Sequence, residues 1–274
     1  MSESASDSSS SMEQMASGRL CIQPLPGYLP VAATALNASI LREPVGKGWE
    51  SVMLAWEQGE IIHVGAEAEV SNGQYLGLAA VRKLRRPRGY RDPALDRRLT
   101  NHRMAAEAKM LARLSNSGLP VPHLLACEMS NGTMIQSLMP GSQLVDVLRS
   151  GEIDVKAVMH EVGTVIRQLH SLGAVHGDLT TNNILWDGEK GISLIDFGLT
   201  QSTTEVERMG LDLQVLSECL SASHPEHEDA LEWVFDGYNS AENLTYTGSD
   251  SPPVKSEEVI NRYNTIRSRV RYHS

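Results

Sequence analysis

The chain has 274 residues, 41% of them hydrophobic, with 24 Lys and Arg against 34 Asp and Glu for a formal net charge of −10; this length buries a real core in one bilobal domain or two small ones and excludes a scaffold that depends on staples. Its cysteines, Cys21, Cys127 and Cys219, fall at no metal or disulfide spacing, which argues against a disulfide framework and for a reducing compartment, cytosolic or nuclear. No apolar run approaches membrane-spanning length, and the stretch 31–41 is short, internal and broken by Asn37, so neither a signal peptide nor a membrane anchor is expected.

Residues 1–20 are rich in serine with little to bury, which predicts a disordered tail. Residues 21–60 contain Pro24, Pro26, Pro30 and Pro44 and two apolar patches, the second around Trp49 and Trp56; this extension reads equally as an ordered appendage or an irregular tail. Strands are expected to begin at Ile61-Ile-His-Val64 and to continue with Ala68-Glu-Val70 and Leu76-Gly-Leu-Ala-Ala-Val81. Helical signals follow over residues 92–114, where Ala105, Ala108, Leu111 and Leu114 share one face. A second helix should run from Asp154 as N-cap through Val155, Val158, Met159, Val162, Val165, Ile166 and Leu169 to Gly173 as stop. Ile184-Leu-Trp186 and Ile192-Ser-Leu-Ile195 then read as short strands joined by the turn Asp187-Gly-Glu-Lys-Gly191. The order is strands, one helix, strands, then mostly helices. It predicts an α+β, bilobal protein-kinase-like fold with a β-rich N-lobe over 61–141 and a mostly helical, reduced C-lobe over 142–274.

The charge is unevenly spread. Between Arg82 and Arg103 stand nine basic residues and two acidic ones, Asp92 and Asp96, leaving 15 basic and 32 acidic residues elsewhere. A local +7 on a background of −17 is a directed field that suits a polyanion or an acidic partner; a solvated basic loop is the plainer reading.

The chemistry is concentrated in His176-Gly-Asp-Leu-Thr-Thr-Asn-Asn183 and Leu194-Ile-Asp-Phe-Gly-Leu199. Asp, Asn five positions later, and Asp-Phe-Gly after the next hairpin are the parts a kinase-type site needs. Phosphoryl transfer asks for positioning and charge neutralisation, and carboxylates with a carboxamide are hard oxygen ligands suited to Mg²⁺. Asp178 is therefore the candidate catalytic residue, aligning the attacking hydroxyl or a water, and Asn183 and Asp196 are the candidate metal ligands. The plan also requires an upstream lysine for the α- and β-phosphates and a helix glutamate to pair with it; Lys83 and Glu107 stand in the right order. The phosphate loop is weaker, since Gly65-Ala66-Glu67-Ala68 and Val70 offer a single glycine and place a carboxylate nearby. The plainer alternative is that His-Gly-Asp is a turn and Asp-Phe-Gly a strand end.

Gly65-Ala-Glu-Ala68, Pro87-Arg-Gly-Tyr-Arg-Asp-Pro-Ala-Leu-Asp96, His176-Gly-Asp-Leu-Thr-Thr181, Ile195-Asp-Phe-Gly-Leu199 and Arg267-Ser-Arg-Val-Arg271 together resemble the small atypical kinases of the KEOPS (EKC) complex, the p53-related protein kinase family, over residues 61–272. The resemblance implies a two-lobed kinase fold that uses ATP and Mg²⁺, with ATPase and serine/threonine kinase activity, in a complex required for N6-threonylcarbamoyladenosine in tRNA. It implies as partners the tRNA threonylcarbamoyl-transferring metalloenzyme on the C-lobe side and a small regulatory subunit on the N-lobe side. It also suggests that Arg85, Arg86, Arg88 and Arg91 in the small lobe, and Arg267, Arg269 and Arg271 in a basic C-terminal tail, contact RNA or acidic partners. Asp212 resembles the buried helix aspartate that braces a kinase catalytic loop, an ordinary exposed helix acid being the alternative.

Other features point to a reduced kinase. Gly177 stands where many kinases carry the arginine that receives an activation-loop phosphate, and Asp212 follows Asp196 by only sixteen positions, with no Ala-Pro-Glu sequence. The hinge Gln136-Ser137-Leu-Met139-Pro-Gly141 departs from the family pattern, Ser137 replacing its acid, so adenine contacts there rest on backbone groups. Two other classes stay open: a small-molecule phosphotransferase of the aminoglycoside-kinase type, for which residues 142–274 give little room, and a pseudokinase scaffold, against which all five site residues weigh.

Overall fold

The computed structural model describes residues 55–65, 68–242 and 254–270; the expected tail 1–20, residues 21–54 of the extension, Ala66, Glu67 and Arg271 lie outside the described residues. The chain divides into two compact units, one comprising the residues up to Met104 with Leu124–Leu138, the other Ala105–His123 with everything from Met139 onward.

The first unit is built on an antiparallel sheet of β1 (Trp56–Val64), β2 (Ala68–Tyr75), β3 (Leu78–Arg85), β4 (Leu124–Glu128) and β5 (Thr133–Ser137), in the order β1-β2-β3-β5-β4. β1 starts at Trp56 and not at Ile61. After Trp56 the whole strand is exposed, so its sequence carries none of the alternation that marks a half-buried strand. Its partner explains it: a Cβ on Gly73 of β2 would collide with the Glu57 carbonyl and the Trp56 ring, and glycine there lets β1 close onto β2. Leu76, expected inside a strand, belongs with Gly77 to the β2–β3 turn. Their φ values of 53° and 77° are the paired left-handed residues of a tight hairpin whose twist matches its strands.

One face of this sheet holds a core of Trp56, Ala80 and Ile135, flanked by Tyr75, Leu125 and Ala126, with the Arg82 guanidinium 5.4 Å above the Trp56 ring. Each fully buried large apolar side chain contributes about 1.5–3 kcal/mol. The opposite face, by register, carries Val70, Val81, Lys83, Met134 and Gln136. Helix α1 (Pro93–Asn116) starts where the Asp92 carboxylate accepts from the amides of Ala94 and Leu95, both at 3.0 Å. An aspartate cap followed by proline at the first helical position leaves few orphan donors.

The second unit contains β6 (Ser142–Gln143), α2 (Leu144–Ser150), α3 (Val155–Ser171), β7 (Ala174–Val175), β8 (Ile184–Asp187), β9 (Gly191–Leu194), β10 (Gln201–Ser202), α4 (Val206–Ser223), α5 (Ala230–Ser240) and α6 (Ser256–Val270). β6, β8 and β9 form one small sheet, and β7 pairs with β10. Asp154 caps α3, accepting from the Ala157 amide at 3.1 Å, and Gly173 beyond its end has φ 65°. The central contact is α3 against α5. A Cβ on Gly163 would overlap the Val234 carbonyl, and one on Gly237 would overlap the His160 carbonyl, so the two backbones approach as only glycine allows. The β8–β9 turn forms where Asp187 Oδ1 accepts from the amides of Glu189 and Lys190 at 3.0 and 2.9 Å.

α6 packs on α4 through buried Val259, Tyr263 and Ile266, with the Tyr263 and Ser217 hydroxyls 2.9 Å apart. Arg262 is ion-paired with Glu207 of α4 and so serves helix packing, whereas Arg267 and Arg269 on the last turn are exposed.

Candidate active site

The loop between β7 and β8 carries Asp178 and Asn183, and a carboxylate on α4 holds its first turn. Asp212, 2% exposed, accepts from the His176 amide at 2.5 Å and the Gly177 amide at 2.8 Å; His170 Nε2 of α3 lies 3.3 Å from the same carboxylate. Burial opposes its charge, but these hydrogen bonds from His170, Gly177 and His176 outweigh it and hold the Asp212 carboxyl below the usual carboxylate range. Asp212 is thus a buried loop brace and not an exposed helix acid. Behind it, His170 Nδ1 is 2.8 Å from the Tyr238 hydroxyl, whose pKa burial pushes up. Arg167, 1% exposed, lies with its guanidinium 5.4 Å from the Tyr238 ring and 2.9 Å from the Glu242 carboxylate. Sequence reasoning missed this chain of polar groups. Its only signal is a pair of polar residues, Arg167 and His170, among the apolar positions of α3.

Gly177 has φ 83°, and a Cβ there would lie 2.5 Å from the Leu199 carbonyl. Any side chain at this position, the arginine of other kinases included, would be strained and obstructed. Beside it, His176 is fully buried: its Nε2 donates to the Ile195 carbonyl at 2.9 Å and its Nδ1 accepts from the Asp178 amide at 3.3 Å. This is the arrangement of an uncharged ring, and burial lowers its pKa. One imidazole therefore ties the catalytic loop to the Asp-Phe-Gly segment.

Asn183 Nδ2 donates to both the Asp178 carbonyl, at 2.8 Å, and Asp178 Oδ2, at 2.9 Å, fixing the carboxylate and turning the carboxamide oxygen the other way. Asp196 is exposed and has φ 64°, a left-handed conformation that costs on the order of 1–3 kcal/mol in a non-glycine residue and clusters at functional sites. Phe197, 1% exposed, anchors the motif, its ring 5.0 Å from that of His176. The chain then returns at once to the unit's interior: Thr200 donates to the Val175 carbonyl, the Thr203 amide to the Gly173 carbonyl at 2.9 Å, β10 pairs with β7, and α4 begins at Val206.

Among the described residues no group of three or more His, Cys, Asp or Glu could hold a metal ion. Mg²⁺ commonly needs only one or two carboxylates and completes its shell with water and phosphate oxygens. The left-handed, exposed Asp196 and the carboxamide oxygen of half-buried Asn183 fit that sparse donor set.

In the first unit Lys83 is 8% exposed, on the sheet face that also bears Val70 and Gln136. Ser137 ends β5, and the Leu138 amide donates to the Ala79 carbonyl at 3.0 Å. The β1–β2 turn closes by the Gly65 amide donating to the Ala68 carbonyl at 2.9 Å. In the second unit Glu107, on α1, is 2% exposed, and Met139 is half-buried. Arg85, Arg86, Arg88 and Arg91 do come together, lining one pocket with Arg103.

Residues 76–230, more than half of the chain, match the model of the lipopolysaccharide kinase (Kdo/WaaP) family. The chain is 31% identical over 264 residues to the EKC/KEOPS complex subunit BUD32 of Candida glabrata, covering 87% of this chain and 94% of that protein. It is 32% identical over 252 residues to a probable bifunctional tRNA threonylcarbamoyladenosine biosynthesis protein of Methanocorpusculum labreanum, covering 89% of this chain but only 42% of that protein's length. Among solved structures, the Rio2 kinase of Chaetomium thermophilum in its ADP/Mg²⁺-phosphoaspartate complex aligns with a TM-score of 0.53 at 17% identity, covering 96% of this chain and 85% of that one, a likeness of fold alone. The chain has the protein-kinase-like fold and, on its near full-length match to BUD32 together with the kinase family model, belongs to the family of EKC/KEOPS kinase subunits.

Proposed function

We propose that the protein is the ATP-dependent kinase/ATPase subunit of a KEOPS-type complex that supports formation of N6-threonylcarbamoyladenosine in tRNA. The observation that carries this reading is the Asp178–Asn183 pair hydrogen-bonded beside a left-handed, exposed Asp196, in a chain that spans nearly all of a KEOPS kinase subunit. Asp178 accepts the proton of the attacking hydroxyl or water, its carboxylate held in place by Asn183. Asn183 and Asp196 hold Mg²⁺, which supplies charge neutralisation on the phosphates. Lys83 serves the α- and β-phosphates of ATP with Glu107 as its partner, Gly65 and the turn through Ala68, with Val70, cover the phosphates, and Gln136, Ser137 and Met139 serve the nucleotide's base side.

The immediate return of the chain after Phe197 leaves little chain for a peptide-docking platform, which favours water, or a serine or threonine already in the assembly, as acceptor. The partners are the threonylcarbamoyl-transferring metalloenzyme and a small regulatory subunit, in the cytoplasm or nucleus, with tRNA met by Arg267, Arg269 and Arg271. Among the described residues no helix is long and apolar enough to cross a membrane.

The test is ATP turnover by the full chain, alone and with the metalloenzyme, for wild type, Asp178→Ala and Asp196→Ala. Losses of about 10²–10⁴-fold are expected. Turnover untouched by both substitutions would remove the kinase assignment, and phosphate transfer to an aminoglycoside without stimulation by the metalloenzyme would favour a small-molecule phosphotransferase.

A further inference from the structure

The connection from β3 to α1 folds into a small surface pocket lined by Arg85, Arg86, Arg88, Arg91, Leu99, Thr100 and Arg103. Two pieces of chain make it. The end of β3 supplies Arg85, the segment after it Arg86, Arg88 and Arg91, and α1 supplies Leu99, Thr100 and Arg103 from a single helical stripe that begins at Asp96. Asp96, 4% exposed, fixes the loop to that stripe: it accepts from the Arg88 amide at 3.0 Å and lies 3.4 Å from Arg91 Nη1. Glu69 takes Arg86 from the other side. The guanidiniums are thereby gathered around one cavity by a buried brace, where a solvated basic loop would spread them apart.

The lining excludes an apolar ligand, since Leu99 is its one hydrophobic side chain, and small-molecule pockets are mostly apolar. Guanidinium forks match phosphate oxygens bidentately. At the rim stands Tyr90, 75% exposed, with the guanidiniums of Arg88 and Arg91 5.9 and 5.3 Å from its ring and the Arg88 head donating to its hydroxyl at 2.6 Å. An exposed aromatic ring beside a cationic pocket is the pairing that looped or single-stranded RNA uses, phosphate at the arginines and base on the ring. The chain's overall −10 does not prevent this, because fields are screened beyond about 8 Å at physiological ionic strength and the local balance decides.

We infer that the Arg85–Arg103 pocket and Tyr90 form an RNA site that grips one backbone phosphate and stacks the adjoining unpaired base. This deepens, and rests on, the reading of the protein as part of a tRNA-modifying assembly: of the two ligand classes that the resemblance allows these first-unit arginines, it commits to RNA and adds Tyr90 as the stacking group.

The test measures binding of the full chain to a fluorescent RNA stem–loop and to a blunt duplex of equal length, across a salt series. Arg85→Gln with Arg103→Gln should weaken stem–loop binding and flatten the log–log salt slope by about 0.7 for each phosphate no longer neutralised. Tyr90→Ala should weaken it about five- to a hundredfold, with Tyr90→Phe close to wild type and duplex binding little changed. Thermal melting of each variant checks folding, and Arg85→Lys with Arg103→Lys, which keeps the charge, should restore the slope but only part of the affinity. An unchanged slope in the Gln variant, Tyr90→Ala equal to wild type, or displacement of the RNA by an acidic or phosphorylated peptide at lower concentration than by unlabelled RNA would overturn the proposal. Because the readout is RNA affinity, Asp178→Ala losing ATP turnover while pocket variants bind RNA normally refutes the pocket alone.

Discussion

The catalytic loop and the arginine loop are each held by an aspartate on the helix that follows them, Asp212 on α4 and Asp96 on α1, yet the two braces work in different surroundings. Asp212 accepts two consecutive backbone amides, is backed by His170 and Tyr238, and stands behind a buried histidine and phenylalanine. Asp96 accepts one amide and a partly exposed guanidinium, and the loop around it is charged and partly exposed. Chemistry on a phosphate needs atoms placed to a fraction of an ångström, which a buried network supplies. Attraction of a polyanion needs charge density, which tolerates a looser hold.

The contrast can be broken most directly at Asp212. Asp212→Ala leaves the His176 and Gly177 amides and His170 without their acceptor, so ATP turnover should fall by at least about 100-fold and stability by about 2–4 kcal/mol in urea unfolding. Asp96→Ala, with fewer buried partners, should cost about 1–2 kcal/mol. Equal losses at the two sites would end the distinction.

Gly177→Ala comes next. The strained φ and the obstruction by the Leu199 carbonyl predict about 1–3 kcal/mol of lost stability together with slower turnover, and a variant as stable and active as wild type would mean that the backbone there relaxes freely.

The smallest effect is a pH dependence. Burial lowers the pKa of His176 and of His224, the buried residue that ends α4, while in the unfolded chain each takes up a proton near pH 6.5. The unfolded state then binds more protons, so stability should fall as pH drops from about 7.5 to about 5.5, by at most about 1.4 kcal/mol per pH unit for each group. Asp212 contributes nothing over that window, because its depressed pKa matters only below the normal carboxylate range. His176→Gln should flatten the slope of the urea midpoint against pH; a stability that rises on acidification would mean a charged, paired histidine.

The α3 helix and its Asp154 cap, the 184–195 hairpin and the Asp178, Asn183 and Asp196 spacing were legible because each is local: apolar period, cap and turn residues lie within a few positions of one another. β1 is legible only from Ile61, because Glu57, Gln58, Gly59 and Glu60 carry no apolar or β-branched signal and their strand is defined by Gly73 across the ladder. The α6 helix reads as a basic tail, although Val259, Tyr263 and Ile266 stand at one-face spacing; the arginines between and beyond them dilute the apolar period.

Sequence alone determined which chemistry is proposed for this chain, since hard oxygen donors at kinase spacing, with a lysine and a glutamate upstream, are set by residue type and order. Tertiary structure decided what makes those residues usable. The partners of Asp212, the left-handed turn at Asp196, the carbonyl that forbids a side chain at Gly177 and the gathering of arginines around Asp96 all join residues distant in sequence or set a backbone angle by surrounding contacts. Such close approaches leave no periodicity in the chain, because only burial and excluded volume in the folded state fix them.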